Sequence, residues 1–185
     1  MDGGLDLAIK NHLGAKIEKR LKQEIAKLPG GTLPVGYATC IPTGATLPKF
    51  LISTPTMQTS SQDVSDTLNV ALACAAAFQV VHMQNEREPG SIEAIALPGL
   101  GANTGKVPVD ICADLMWTGY DLFRRKAFTD FAEMRQALLL KLGDLDDMTG
   151  NQTPKSTTKP TSPQPTKAPP PKPKPVDEDF DDSEG

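Results

Sequence analysis

Two glycine-rich turns, about ninety residues apart, each precede a helical pattern in this 185-residue chain. The first opens the sequence at residues 1–4. The second, residues 97–105, follows a strand-like run and precedes another helix. Glycine lets the backbone approach a ligand closely, and the free N–H groups at a helix N-terminus attract phosphate. The pair therefore indicates an anionic ligand held between the two turns.

The C-terminal segment differs in composition from the rest of the chain. Residues 151–185 hold nine of the 17 prolines and few large apolar side chains, so they cannot bury a core. We predict a globular domain over 1–148 and a disordered tail over 149–185, first Lys/Pro-rich and then acidic. The acidic tip around Phe180 is a candidate docking peptide for a protein partner, and a solubilising end is the plainer alternative.

Charge and cysteine content limit the function classes. The net charge of −4 gives no support for nucleic-acid binding. No apolar run approaches the roughly 20 residues of a membrane span, and no leader pattern opens the chain, so we expect a cytoplasmic protein without a membrane partner. The cysteines fit reduced core thiols in that compartment; they are Cys40, Cys74 and Cys112.

Hydrophobic periodicity predicts the order α-β-β-α-β-α-α, which is typical of an α/β layered sandwich. The first helix is expected to run without a break from Ile9 to Leu28. The strands are expected at 33–41, 50–54 and 92–97, and the later helices at 63–86, 109–125 and 129–142. Three strands are few for four helices, which suggests that one or two N-terminal strands precede Met1.

Three blocks of sequence resemble a known family. Residues 2–9 (DGGLDLAI) are similar to the first ligand loop of macro domains, the ADP-ribose-binding modules. Residues 50–57 resemble the central strand of that fold, and 97–108 (LPGLGANTGKVP) resemble its diphosphate-binding loop. The resemblance covers about 1–125. It implies a three-layer α/β/α sandwich with a mixed sheet, lacking its N-terminal strands, because the family's adenine-binding aspartate and ribose-binding asparagine would precede Met1.

The resemblance also implies the ligand-binding residues. Ala102 stands where the family commonly has threonine, and Asn103 where it often has glycine. Asn103 tolerates the left-handed conformation that such a loop requires. The implied ligand set is Asp2, Gly3, Gly4, Leu5, Pro98, Gly99, Leu100, Gly101, Ala102, Asn103, Thr104 and Gly105.

Asp6 is the candidate catalytic residue, since the hydrolase branch of the family uses the aspartate at this motif position to activate water. The alternative is a carboxylate that stabilises the first turn of a helix, and Asp2 is expected to be an N-cap. Neither turn matches the Walker pattern or the dinucleotide fingerprint. His12 and His82 lack further ligands at metal spacing. We therefore expect neither a cofactor nor a metal.

Three functions follow as hypotheses. The chain binds ADP-ribose or a related nucleotide diphosphate, free or on an ADP-ribosylated macromolecule. Alternatively, it hydrolyses ADP-ribose from proteins or nucleobases, or acts on an ADP-ribose ester or phosphate, with Asp6 positioning water. The third hypothesis is that the chain is a truncated remnant of the fold and acts only through its tail. Separately, three aromatic residues lie on adjacent faces of one helix and are expected in the core or an interface: Trp117, Tyr120 and Phe123.

Overall fold

The computed structural model describes residues 4–125 and 128–149. Within this part of the chain there are five helices, one 3-10 turn and one two-stranded sheet. In chain order the elements are α1 (Gly4–Leu13), α2 (Lys16–Ile25), the 3-10 turn (Pro29–Gly31), β1 (Thr39–Pro42), β2 (Phe50–Ser53), α3 (Asn69–Arg87), α4 (Val109–Arg125) and α5 (Phe131–Thr149).

The N-terminal helical pattern is divided into two helices, which corrects the prediction of one helix. Gly14 adopts φ +82°, a left-handed conformation that ends α1 before α2 begins. The apolar side of α2 buries Ile17 and Leu21 against Ile41 of β1. On the polar side, Glu18 forms an ion pair with Lys10 of α1 (2.6 Å), which joins the two helices, and a second with Lys22 within α2 (2.7 Å).

The sheet consists of β1 and β2, which pair antiparallel with Thr39 opposite Ser53 and Pro42 opposite Phe50. The predicted strand over 33–41 was wrong in its first part. A turn precedes β1, in which the N–H of Tyr37 donates to the carbonyl of Pro34 and Gly36 adopts φ +87°. Such a turn cannot belong to an extended strand.

The predicted strand over 92–97 was also wrong, because no ladder among the described residues includes it. The amide of Asn85 instead bonds both backbone groups of Ile92, accepting from its N–H at 2.9 Å and donating to its carbonyl at 2.8 Å. An extended segment becomes a strand only where a neighbouring strand supplies hydrogen bonds. The α/β class is confirmed, while the described sheet has two antiparallel strands and not the expected mixed pairing.

The core lies between α3, α4 and α5. Helix α3 is rich in alanine, and α4 approaches it so closely that a Cβ at Gly119 would lie 2.5 Å from the Ala71 carbonyl oxygen. From α5, Met134 and Leu138 are fully buried against the other side of α3. Helix α4 has its predicted bounds. Helix α3 begins later than predicted, because residues 63–67 form a hydrogen-bonded turn.

Helix α5 extends beyond its predicted end at residue 142. The predicted division into a 1–148 domain and a 149–185 tail stays a prediction, since residues 150–185 lie outside the described chain. Among the described helices, none has the length and apolar character that crossing a bilayer requires.

Candidate functional site

Residues 98–107 form a loop, called here the 98–107 loop, that folds back on itself before α4. Three of its N–H groups bond its own carbonyls: Ala102 to Gly99 at 3.3 Å, Lys106 to Asn103 at 3.1 Å and Val107 to Gly101 at 3.1 Å. Gly101 adopts φ +74°, and a Cβ there would lie 3.1 Å from a Val70 methyl. Glycine is therefore required at this position both for backbone conformation and for space.

The loop is also anchored to neighbouring elements. The carbonyl of Gly105 accepts a hydrogen bond from the N–H of Val64 at 3.0 Å, and the carbonyl of Leu100 accepts one from the Cys112 thiol at 3.2 Å. Gly105 is buried, and a Cβ there would lie 2.7 Å from both the Gly101 oxygen and a Val64 methyl. These contacts fix the loop by its carbonyl groups.

Other backbone donors of the loop are unused within the described structure. The N–H groups of Gly99, Asn103 and Thr104 have no acceptor among the described residues, and all three residues are exposed. The loop leads directly into α4, whose first N–H groups lack intrahelical partners. Clustered backbone donors next to a helix N-terminus bind anions without a basic side chain.

A turn at residues 63–65 also contacts the loop, through the Asp63 side chain. Asp63 accepts hydrogen bonds from the backbone N–H and hydroxyl of Ser65, and its carboxylate lies 3.3 Å from the Lys106 ammonium. These hydrogen bonds, first those from Ser65 and then that from Lys106, lower the pKa of Asp63. Lys106 is a non-glycine residue with φ +59°, so its left-handed backbone is held by the surrounding contacts.

This anchoring turn was missed at the sequence level. The pattern Asp63-Val64-Ser65 is an Asx-turn sequence, in which an aspartate accepts from the residue two positions later, and it was the available signal. The sequence does not reveal that the N–H of Val64 would reach Gly105, about forty residues away.

The first glycine turn has a different setting. Asp2 and Gly3 lie outside the described residues, and Gly4 begins α1. Leu5 is 53% exposed, and the exposed Asp6 carboxylate has no hydrogen bond or ion pair with another described residue. The N-cap role of Asp2 stays a prediction.

The structure brings the Pro98–Gly105 set together as one loop, and within the described chain no hydrogen bond or ion pair joins that set to α1. A cleft of about 420 Å³ lies on α2 beside Lys22, and one of about 330 Å³ lies between Tyr37 and α5. Neither is lined by the loop. That both glycine turns bind one pyrophosphate therefore stays a prediction.

The cysteines are poor nucleophiles. Burial raises the pKa of Cys40 to about 11 and, with a smaller contribution from nearby Cys112, that of Cys74 to about 12. Burial also raises the pKa of Cys112. Across the described residues, no group of three or more His, Cys, Asp or Glu side chains is arranged to hold a metal ion.

Comparison with known families places this loop in context. The family model for the Macro domain matches residues 1–116, a range that includes both glycine turns, the whole 98–107 loop and the first eight residues of α4. The chain belongs to the macro domain family. Macro domains bind ADP-ribose or ADP-ribosylated targets, so the family supports a nucleotide-related binding role for this macro domain. No curated protein and no solved structure matches the chain.

Proposed function

We propose that this macro domain binds ADP-ribose, free or attached to a macromolecule, and that the 98–107 loop holds the pyrophosphate. The observation that carries this proposal is the arrangement of the loop's backbone: its carbonyls are bonded to the protein, and the N–H groups of three exposed residues, Gly99, Asn103 and Thr104, are left without described acceptors. The donors are fixed before the ligand arrives, so binding requires little ordering of the loop.

The chemistry of the loop favours a diphosphate over a neutral ligand. A hydrogen bond to a charged group contributes roughly 1.5–3 kcal/mol, about twice the value for a neutral pair. Two or three such bonds to one pyrophosphate account for micromolar binding once adenosine and ribose contacts are added. Lys106 lies exposed at the edge of the loop and is paired with Asp63, so the pair is net neutral and the backbone donors are left to carry the interaction.

Titration calorimetry of the 185-residue chain with ADP-ribose tests the proposal. We expect saturable binding to ADP-ribose and weaker binding to ADP. The affinity for AMP should be lower than that for ADP-ribose by about tenfold or more, because AMP offers only one phosphate. Absence of heat with ADP-ribose at millimolar concentration would contradict the proposal. Equal affinity for AMP and ADP-ribose would remove the pyrophosphate from it.

Gly99→Ala is the sharpest variant. A Cβ at Gly99 meets its nearest neighbour, the Ala102 methyl, at 3.4 Å, so the variant is expected to fold. The added methyl group blocks close approach of a phosphate to the backbone, and we expect at least about tenfold weaker binding. Gly90→Ala is the control: Gly90 is exposed with open space around its Cβ position but has φ +73°, so the variant is expected to lose about 1–2 kcal/mol of stability and to keep its affinity for ADP-ribose.

We propose hydrolysis of an ADP-ribose linkage as a second function, supported by the exposed Asp6 carboxylate on the first turn of α1, which has no described partner. Such a carboxylate is available to orient water. Asp6→Ala is expected to abolish release of ADP-ribose from a modified protein while binding persists, and the control Glu88→Ala is expected to leave both unchanged. Equal turnover in Asp6→Ala and the original chain would exclude Asp6 from the mechanism.

The remaining expectations are proposals of the same kind. We propose a cytoplasmic location, in keeping with three free thiols. An ADP-ribosylated protein is the proposed macromolecular partner. Capture of an ADP-ribosylated peptide, but not of its unmodified form, would support this, and equal capture of both would oppose it.

A further inference from the structure

One side of α4 presents an aromatic residue between charges of opposite sign. We call this side the Trp117 face; spaced three or four apart along the helix, its members are Asp110, Asp114, Trp117, Tyr120 and Arg124. Trp117 is 59% exposed, and the three charged residues are exposed. An exposed tryptophan at the centre of a helix face requires an explanation, because burying its ring is a large source of binding energy.

The tryptophan ring is supported by further rings. Trp117 and Tyr120 have centroids 5.7 Å apart, Tyr120 and Phe78 5.0 Å, and Phe78 and Phe123 5.8 Å. This series runs from Trp117 and Tyr120 on α4 to Phe78 on α3 and returns to α4 at Phe123. Trp117 is therefore part of a supported surface and not an isolated side chain, so little rotamer entropy remains to be lost when a partner covers it.

The polar residues of the Trp117 face lie at equal sequence separations on either side of Trp117, with opposite charge at the two ends. Trp117 is the middle residue of α4, which spans Val109–Arg125. The acidic residues Asp110 and Asp114 precede it, and the basic Arg124 follows it. When two such helices are placed antiparallel with their Trp117 residues in contact, residue 110 of each lies opposite residue 124 of the other, and residue 114 lies opposite residue 120.

We propose that the Trp117 face pairs with the same face of a second copy of this chain, forming a two-fold symmetric dimer. In this arrangement Trp117 stacks on its symmetry mate, and Asp110 of each copy forms an ion pair with Arg124 of the other. Asp114 accepts a hydrogen bond from the Tyr120 hydroxyl across the interface. A two-fold interface requires a self-complementary surface, and this charge order provides one.

The same charges argue against other occupants. A uniformly anionic partner would meet Asp110 and Asp114, while a uniformly cationic one would meet Arg124. Within the chain, one Arg124 nitrogen donates to the Asp121 carboxylate at 3.1 Å, and the side chain stays 57% exposed. A guanidinium has five donors, so Arg124 can keep this bond while it pairs with a second copy.

The first test is the mass of the full chain by sedimentation equilibrium over a wide concentration range. We expect a shift from 19.8 kDa towards twice that mass, together with a blue shift of tryptophan emission, because Trp117 is the single tryptophan of the chain. Trp117→Ala is expected to weaken dimerisation at least about tenfold. Leu47→Ala, which removes an 81% exposed apolar side chain elsewhere, is expected to leave it unchanged. A monomer at every concentration would overturn the proposal.

Charge reversal tests the antiparallel arrangement. Asp110→Arg alone and Arg124→Glu alone each place like charges opposite one another in a homodimer, so both variants are expected to be monomeric. Mixed together, they form a heterodimer in which both ion pairs are restored, one of them reversed. Circular dichroism of each variant confirms its fold. A mixture that remains monomeric while both variants are folded would overturn this pairing.

Discussion

The 98–107 loop and the start of α1 are similar in sequence and different in structure. Both place glycines just ahead of a helix. The loop is fixed through its carbonyls by Val64 and Cys112, whereas α1 presents Leu5 and Leu7 to solvent and is held mainly by α2. The comparison teaches that a glycine pattern makes a turn available. Contacts from residues distant in sequence decide whether the turn becomes a rigid set of donors.

The largest expected effect is a difference in stability between two glycine-to-alanine variants of the loop. Gly105→Ala would force its Cβ within 2.7 Å of the Gly101 oxygen, and we expect a loss of about 3 kcal/mol or more in the free energy of unfolding. Gly99→Ala is the matched control, expected to change stability by at most about 0.5 kcal/mol. Urea denaturation measures both. Equal losses would mean that the loop is not anchored at Gly105.

The next effect compares the anchor of the loop with α1. Val64 is fully buried in the cluster with Val70 and Val107, and Val64→Ala is expected to cost about 2 kcal/mol, since it removes the methyl group that lies beside Gly105. Leu5→Ala removes a side chain that is already 53% exposed and should cost about 0.5 kcal/mol or less. A larger cost at Leu5 would show that α1 is packed as firmly as the loop.

A smaller effect concerns the break between α1 and α2. Gly14 has φ +82° with no atom near its Cβ position, so Gly14→Ala introduces backbone strain without a clash. We expect a loss of about 1–2 kcal/mol with unchanged helix content by circular dichroism. A rise in helix content without loss of stability would instead show that the two helices readily become the single helix that the periodicity predicts.

The smallest effect is electrostatic. Hydrogen bonds from Lys10 and then Lys22 lower the pKa of Glu18 from 4.5 to about 2. Because the folded pKa is lowered, the stabilisation is complete above pH 4.5 and is lost as the pH falls through about 2. After division by the intrinsic exchange rate at each pH, protection of the α1 amides should therefore fall in this window, and Glu18→Gln should give low protection at all pH values.

Glu24→Gln is the control for this measurement. Glu24 pairs with Lys27, so its replacement leaves the contact between α1 and α2 intact. Exchange in α1 that responds equally to Glu24→Gln would refute the tether through Glu18.

Local patterns in the sequence were enough to predict several elements. The bounds of α4 follow from its apolar periodicity after Pro108, and the apolar run over 50–54 predicted β2 almost to the residue. The run over 92–97 has the same strand-like composition but no neighbouring strand in the described structure. A strand depends on a partner that its own sequence does not specify.

The candidate site divides in the same way. The glycines of the 98–105 turn could be predicted to bind an anion, because their conformational freedom is a property of residue type. The contacts of Val64 with Gly105 and of Cys112 with Leu100 could not, since they join segments far apart in the chain. At Gly14 the sequence pattern was misleading. The apolar periodicity continues across this residue, but its left-handed backbone separates α1 from α2.

The shielded thiols have a practical consequence for spectroscopy. With a pKa of about 11, roughly one Cys40 side chain in ten thousand is a thiolate at neutral pH, and Cys74 is less ionised still. A cysteine engineered at an exposed position such as Leu47 would react with maleimide far faster than these two. Fluorophores or spin labels can thus be attached at chosen places without first replacing Cys40 or Cys74.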